Sequence, residues 1–303
     1  MSLTSRRNGG AAWSVAKVTV DTLLKKKQSS QPITALTAYD FPTARLVDEA
    51  GIDLILVGDS VGMAVLGYEN TLPVTMAEML HHTRAVARGV QRALLVADMP
   101  FGSYQASIQE GITNATRLVK EAGAEAVKVE GGRRRAALVQ ALTEAEIPVV
   151  GHIGLTPQSV HLMSGYRVQG KSMQAMDDLC ADAIALEAAG AVAIVLEGMP
   201  REAAAMITAQ CGVPTIGIGA GPDCDGQILV FHDLFNLTFS PAAKFTRQYA
   251  DAAAFFTRAL EQYRDDVTSG TFPSDAESYH LPRELQRETN DESPTPALQG
   301  TSR

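Results

Sequence analysis

Cysteine is scarce in this chain of 303 residues. There are three, Cys180, Cys211 and Cys224, an odd number with no CxxC spacing. They give no sign of a disulfide framework and read as small buried apolar residues in a reducing compartment. No stretch reaches the roughly 18 consecutive apolar residues of a membrane-spanning helix. The first dozen residues hold Arg6, Arg7 and a Gly-Gly pair but no apolar core of a secretory signal. Positive charge is also short. The formal net charge is −8 with no basic stripe, which argues against nucleic acid as the main partner. HxH and HExxH spacings, a Walker lysine loop and a full dinucleotide fingerprint are all missing. These absences predict a cytoplasmic protein with no membrane or nucleic-acid partner.

What the chain does have is a recurrence. Four apolar, β-branched runs end on acids: 54–60 on Asp59-Ser60, 94–98 on Asp98, 126–130 on Glu130 and 192–197 on Glu197. Strands buried on both faces read as continuous hydrophobic runs, and a carboxylate is costly there without a partner. Acids placed only where such strands emerge point to a shared mouth that binds something positive or moves protons.

Around these runs the pattern alternates. Strands are predicted at 33–39, 53–57, 94–98, 126–130, 148–152, 192–197, 214–218 and 228–232. Helices are predicted at 42–50, 76–89, 108–122, 133–144, 175–189, 201–210 and 247–263. Gly51, Gly123 and Gly190 stand where left-handed caps would end helices. Repeated β–helix units imply parallel strands with right-handed crossovers. A doubly wound sheet satisfies this, but eight units with polar strand ends favour a closed α/β (β/α)8 TIM barrel, with its site at the C-terminal face. The short glycine-rich gap after the seventh strand predicts a rudimentary seventh helix. The long 155–171 connection is the expected lid. The expected layout is an N-terminal extension over 1–15, one barrel domain over 16–280 and a solvated tail over 281–303.

Each candidate residue admits two readings. Asp59 and Asp98, with Glu130 as a third oxygen source, suit a hard cation such as Mg2+, or they cap helices and pair with arginines. Lys128 shares a strand face with Glu130; it binds a substrate carboxylate, forms a Schiff base or pairs with Glu130. His152 donates to an oxyanion or substrate carboxylate, or is a satisfied core histidine. Glu197 ends the most apolar run and is the candidate general base, or an acid opening the helix beside Pro200. His81 and His82 read as surface or packing residues, and His161 and His232 are weak candidates. The glycine loop 216–221 approaches phosphate with its amides or simply packs closely.

Eight blocks in order carry a resemblance: LTAYD at 36–40, LVGDS at 56–60, LPVT at 72–75, ADMPF at 97–101, VKVEGG at 127–132, GHIGLTPQS at 151–159, VQG at 168–170 and IGIGAG at 216–221. Together, and with the closing Phe272-Pro273 and Glu277-Ser-Tyr-His280, they resemble the 3-methyl-2-oxobutanoate (ketopantoate) hydroxymethyltransferase family. The resemblance implies a barrel of the phosphoenolpyruvate/pyruvate type and a homo-oligomer, a decamer in bacteria. It implies transfer of a hydroxymethyl group from 5,10-methylenetetrahydrofolate to the 2-oxo acid through a Mg2+-stabilised enolate, in pantothenate biosynthesis. By the same resemblance Asp59, Asp98 and Glu130 bind the metal, while Asp59, Ser60, Asp98, Lys128 and His152 contact substrate. Glu197 is then the catalytic base. The chain departs at His161 and Ser164, where the family usually carries Asn and Gly. Another Mg2+-dependent 2-oxo-acid lyase or mutase, or an idle 2-oxo-acid-binding barrel, is the alternative.

Overall fold

Apolar runs of four to six residues have both faces to bury, and in a computed structural model they become parallel strands. The structure describes residues 16–239 and 243–286. The strands are β1 (Ile33–Thr37), β2 (Leu54–Val57), β3 (Leu94–Asp98), β4 (Ala126–Glu130), β5 (Val149–Gly154), β6 (Ala193–Glu197), β7 (Thr215–Ile218) and β8 (Gly226–Leu229). They pair in sequence order and β8 returns to β1, closing the barrel. The helices are α1 (Val20–Gln28), α2 (Phe41–Glu49), α3 (Val61–Ala64), α4 (Met76–Ala87), α5 (Ile108–Ala122), α6 (Ala136–Glu144), α7 (Met173–Ala188), α8 (Arg201–Gln210), α9 (Phe231–Leu234) and α10 (Ala252–Ser269). No helix separates β7 from β8, so even the rudimentary one expected in this short gap is absent.

Alternation along each strand splits the apolar residues into two cores. Leu54, Leu56, Leu94, Val96, Ala126, Val150, Ala193, Val195 and Ile216 fill the barrel. Ile55, Val57, Leu95, Ala97, Val127 and Ile194 face outward onto Met79, Leu118, Leu142 and Leu186 of the helices. Gly51, Gly123 and Gly190 adopt φ of 82°, 81° and 97°, the left-handed conformation expected of them.

The barrel floor is built by an element the periodicity does not reveal. Val18 and Leu23 join the interior cluster, although α1 is otherwise a lysine-rich surface helix. Lys27 of α1 pairs with Asp225 at 2.7 Å, and Lys26 pairs with Asp53. The eighth strand also differs from expectation. It starts at Gly226, and residues 231–234 turn helical because Phe231 buries its ring against Phe235, with centroids 4.7 Å apart. The Phe231 N–H donates to Thr37 Oγ1, 3.0 Å away, tying this turn to the end of β1.

The chain divides into two compact units, Met1–Ala250 and Asp251–Arg303. In the second unit α10 is capped by Asp251 at its start and by Gly270, at φ 73°, at its end. Tyr263 of this helix meets Phe272 edge to face. The expected extension over 1–15, and residues 287–303 of the expected tail, lie outside the described residues.

Candidate active site

The strand ends place four carboxylates around one lysine and one histidine. Gly58 lets the chain turn tightly beyond β2, since a Cβ there would lie 2.7 Å from Ser60 Oγ. The Asp59 N–H then donates to Asp98 Oδ2 at 3.0 Å. Ser60 Oγ and Tyr39 Oη share a hydrogen bond of 2.7 Å. Asp98 and Lys128 are register partners across β3 and β4, and Lys128 Nζ lies 2.8 Å from Asp98 Oδ1. Glu130 and His152 are partners across β4 and β5, with Nδ1 3.3 Å from Glu130 Oε1. The other ring nitrogen, Nε2, lies 3.2 Å from Glu197 Oε2 at the end of β6, in ion-pair range but off hydrogen-bond alignment.

Burial makes these charges interact strongly. Asp59, Asp98, Lys128, Glu130 and His152 are all 5% exposed or less. Burial, with the Asp98 and Glu130 charges added, pushes the Asp59 carboxyl well above its ordinary range. Burial also raises Asp98, against the pull of Lys128. Glu130 goes the other way: burial would raise it, but His152, Lys128 and the Gln158 N–H hold it below its ordinary value. For His152, burial and Lys128 favour the neutral ring, yet Glu130 and Glu197 outweigh them and bring it to about 9. Lys128 stays charged, because Asp98, Glu130 and Asp59 overcome its burial. An ammonium held in this way is a poor nucleophile, which weighs against the Schiff-base reading.

These groups line a cavity of about 370 Å³ at the C-terminal mouth, with Leu155, Pro157 and Tyr166 of the expected lid on its wall. Among the described residues no three His, Cys, Asp or Glu side chains form a ready-made ion cage. The donor set instead suits a hard cation that takes few protein carboxylates and keeps open positions. Its oxygens are acid-rich, buried and adjacent to space. Asp59 and Asp98 would hold such an ion, with Glu130 beside them.

The family model for ketopantoate hydroxymethyltransferase matches residues 17–275. The chain belongs to the ketopantoate hydroxymethyltransferase family. It is 66% identical over 271 residues to the 3-methyl-2-oxobutanoate hydroxymethyltransferase of Koribacter versatilis (strain Ellin345), covering 89% of this chain and 92% of that protein. It is 54% identical to the enzyme of the same name from Pelobacter propionicus (strain DSM 2379 / NBRC 103807 / OttBd1), covering 87% and 98%. Among solved structures, phosphonopyruvate hydrolase in complex with oxalate and Mg2+ aligns with a TM-score of 0.57 at 16% identity, covering 90% of this chain and 95% of that one. A 2,3-dimethylmalate lyase of the PEP mutase/isocitrate lyase superfamily aligns at 0.53 and 14%, covering 90% and 98%. These two likenesses show the fold alone, a closed (β/α)8 barrel. The protein is accordingly an enzyme, a ketopantoate hydroxymethyltransferase by family.

Every candidate at a strand end converges on the cavity: Asp59, Ser60, Asp98, Lys128, Glu130, His152 and Glu197 all line it. Among the described residues Lys128 forms its ion pair with Asp98 and not with Glu130, the partner expected for it. His81 is exposed and His82 holds the Tyr39 carbonyl at 2.7 Å, both away from the cavity lining. His161 is exposed. His232 meets Tyr39 at a tilt and Phe231 edge to face. The glycine loop is packed: a Cβ on Gly219 would lie 2.6 Å from the Phe245 ring, and one on Gly221 2.4 Å from Arg201 Cβ. Ser164 sits at φ 54°, a conformation glycine adopts freely, so the Gly that the resemblance leads one to expect there would fit without strain.

Sequence reasoning misses Thr71 and Tyr166 on the cavity wall and the buried pair Tyr104 and Gln158 behind it. Gln158 lies within the GHIGLTPQS block, so a signal was present without a role attached.

Proposed function

We propose that this enzyme adds a hydroxymethyl group to C3 of 3-methyl-2-oxobutanoate, giving 2-dehydropantoate for pantothenate synthesis. The observation that carries the reading is the convergence of Glu197, His152, Lys128 and three buried acids on one cavity at the barrel mouth. Glu197 is the most exposed of these acids, with its side chain 18% accessible, and is the group placed to take a proton from substrate. Its carboxylate accepts the C3 proton, and C3 then bonds to the one-carbon unit of 5,10-methylenetetrahydrofolate. Water supplies the hydroxyl oxygen, both methylene–nitrogen bonds break, and tetrahydrofolate leaves with its two nitrogens protonated by the C3 proton and one proton of that water. Lys128 and His152 supply the positive charge opposite the substrate carboxylate and the developing enolate oxygen. Ser60, held by Tyr39, offers a hydroxyl at the rim of the same cavity.

A Mg2+ ion held by Asp59 and Asp98, with Glu130 beside it, would supply Lewis-acid stabilisation of charge on the 2-oxo oxygen. Lid residues such as Tyr166 would exclude water once substrate is bound. The protein works in the cytoplasm as a homo-oligomer, a decamer by family. It has no helix, among the described residues, long and apolar enough to cross a membrane.

The test is NMR of the C3 proton of 3-methyl-2-oxobutanoate in D2O. Exchange that requires enzyme and Mg2+ and stops in EDTA is expected, with or without folate. Absence of exchange both without and with tetrahydrofolate would sink the enolisation reading. Exchange that persists in EDTA would remove the metal from it.

A further inference from the structure

Behind the acid cluster lies a neutral side chain with every hydrogen-bonding position filled. Gln158 sits in the single turn Pro157–Ser159 that follows β5, and it is 6% exposed. Its Nε2 donates to Asp59 Oδ2 at 2.9 Å and to the Met99 carbonyl at 3.0 Å. Its Oε1 accepts from Tyr104 Oη at 2.6 Å and from Gln105 Nε2 at 3.1 Å. An amide has two donor hydrogens and two acceptor lone pairs, so nothing is left over.

The amide also has only one workable orientation. The Met99 carbonyl can only accept, which requires the nitrogen on the side that also faces Asp59. Gln105 is fixed in turn, because its Oε1 accepts from the Gly102 N–H at 2.8 Å and its Nε2 must therefore face Gln158. Tyr104 Oη, having donated to Gln158, accepts from the Glu130 N–H at 3.1 Å. The Gln158 main-chain N–H completes the arrangement by donating to Glu130 Oε2 at 3.0 Å.

One residue of the β5 loop therefore holds one oxygen of Asp59 and one oxygen of Glu130. Among the described residues Gln158 makes the only side-chain hydrogen bond to the Asp59 carboxylate. Without it Asp59 would keep its backbone position but lose the contact that sets its rotamer. We propose that Gln158 is a positioning residue for the cation site, which orients Asp59 and Glu130 from behind and so sets the affinity for a divalent cation. The proposal rests on the reading of Asp59, Asp98 and Glu130 as that site. Groups that orient metal-binding carboxylates contribute about 10–100-fold in affinity in metalloenzymes.

Mn2+ binding tests this without turnover. The full-length wild-type chain and its variants are titrated with Mn2+ alone, and free ion is followed by its electron paramagnetic resonance signal. Gln158→Met keeps the length of the side chain and removes all four hydrogen bonds. It is expected to raise the Mn2+ Kd by about 10–100-fold. Tyr104→Phe removes the hydroxyl that fixes the Gln158 amide and is expected to move Kd in the same direction by less. Thermal unfolding of the metal-free proteins provides the control. A merely packing role would lower the melting temperature and leave Kd alone, and that result overturns the proposal. If Gln158→Met fails to fold, Tyr104→Phe decides by the same criterion. Wild type that retains no Mn2+ would fail the cation reading itself, separately from any variant.

Discussion

Glu197 occupies a position where chemistry and architecture meet in one side chain. Its carboxylate is within 3.2 Å of an imidazole that the site keeps charged, and it borders the cavity. Glu197→Gln keeps the shape and removes the proposed base, so turnover should fall by about 10²–10⁴-fold. Mn2+ affinity, read in the same titration used for Gln158, should stay close to wild type; near-normal turnover would take Glu197 out of the role. At this scale the charged residues were legible from the chain alone. An acid closing a run of Leu, Ile and Val has few innocent explanations, and Asp59, Asp98, Glu130 and Glu197 all stood out for that reason. Gln158 and Tyr104 did not. A neutral polar residue in a Gly/Ser/Pro-rich loop is unremarkable until folding brings it to Asp59, 99 positions away.

Elements constrain the site through register. Gly154 at the end of β5 faces Glu197 across the β5–β6 ladder, at φ 95°. A Cβ there would lie 2.2 Å from the Glu197 carbonyl oxygen, which is backbone and cannot swing aside. Gly154→Ala should therefore displace the base as well as strain the loop. The expected outcome is a stability loss of about 1–3 kcal/mol and a fall in turnover on the order of 10²-fold. Denaturant unfolding and steady-state rates measure the two effects, and a variant with normal turnover would show that β5 does not set the Glu197 position. Strand positions could be read from apolar runs because parallel strands have no solvated face to break the pattern. Helix α1 escaped that reading for the opposite reason. It buries Leu23 alone of its nine residues, so its sequence looks like solvated surface. The end of β8 was misplaced because Phe231 is as apolar as a strand residue and its helical turn is fixed by contacts with Phe235 and Thr37.

The whole barrel separates its tasks by end, with chemistry at the C-terminal mouth and ion pairing at the floor. Asp53 is 1% exposed and is bound by Lys26, by Thr34 and by Arg92 Nη2 at 3.0 Å. Burial would raise its carboxyl, but these partners reverse that and hold it below its ordinary value. A folded value below the unfolded one stabilises the protein fully above the unfolded value, and that contribution is lost as pH falls through the folded value. The stability difference between wild type and Asp53→Asn should thus be largest near neutrality and shrink below about pH 4. Chemical denaturation at several pH values measures it, and a difference that does not vary with pH would refute the assignment. The same floor has a kinetic consequence. With Val18 and Leu23 packed into the interior cluster, side chains fill the base of the barrel, and the acid-lined cavity lies at the opposite end. Substrate and product would therefore enter and leave by the same mouth. Product must vacate before the next 2-oxo acid can settle, and accumulated product competes with incoming substrate for the same entrance.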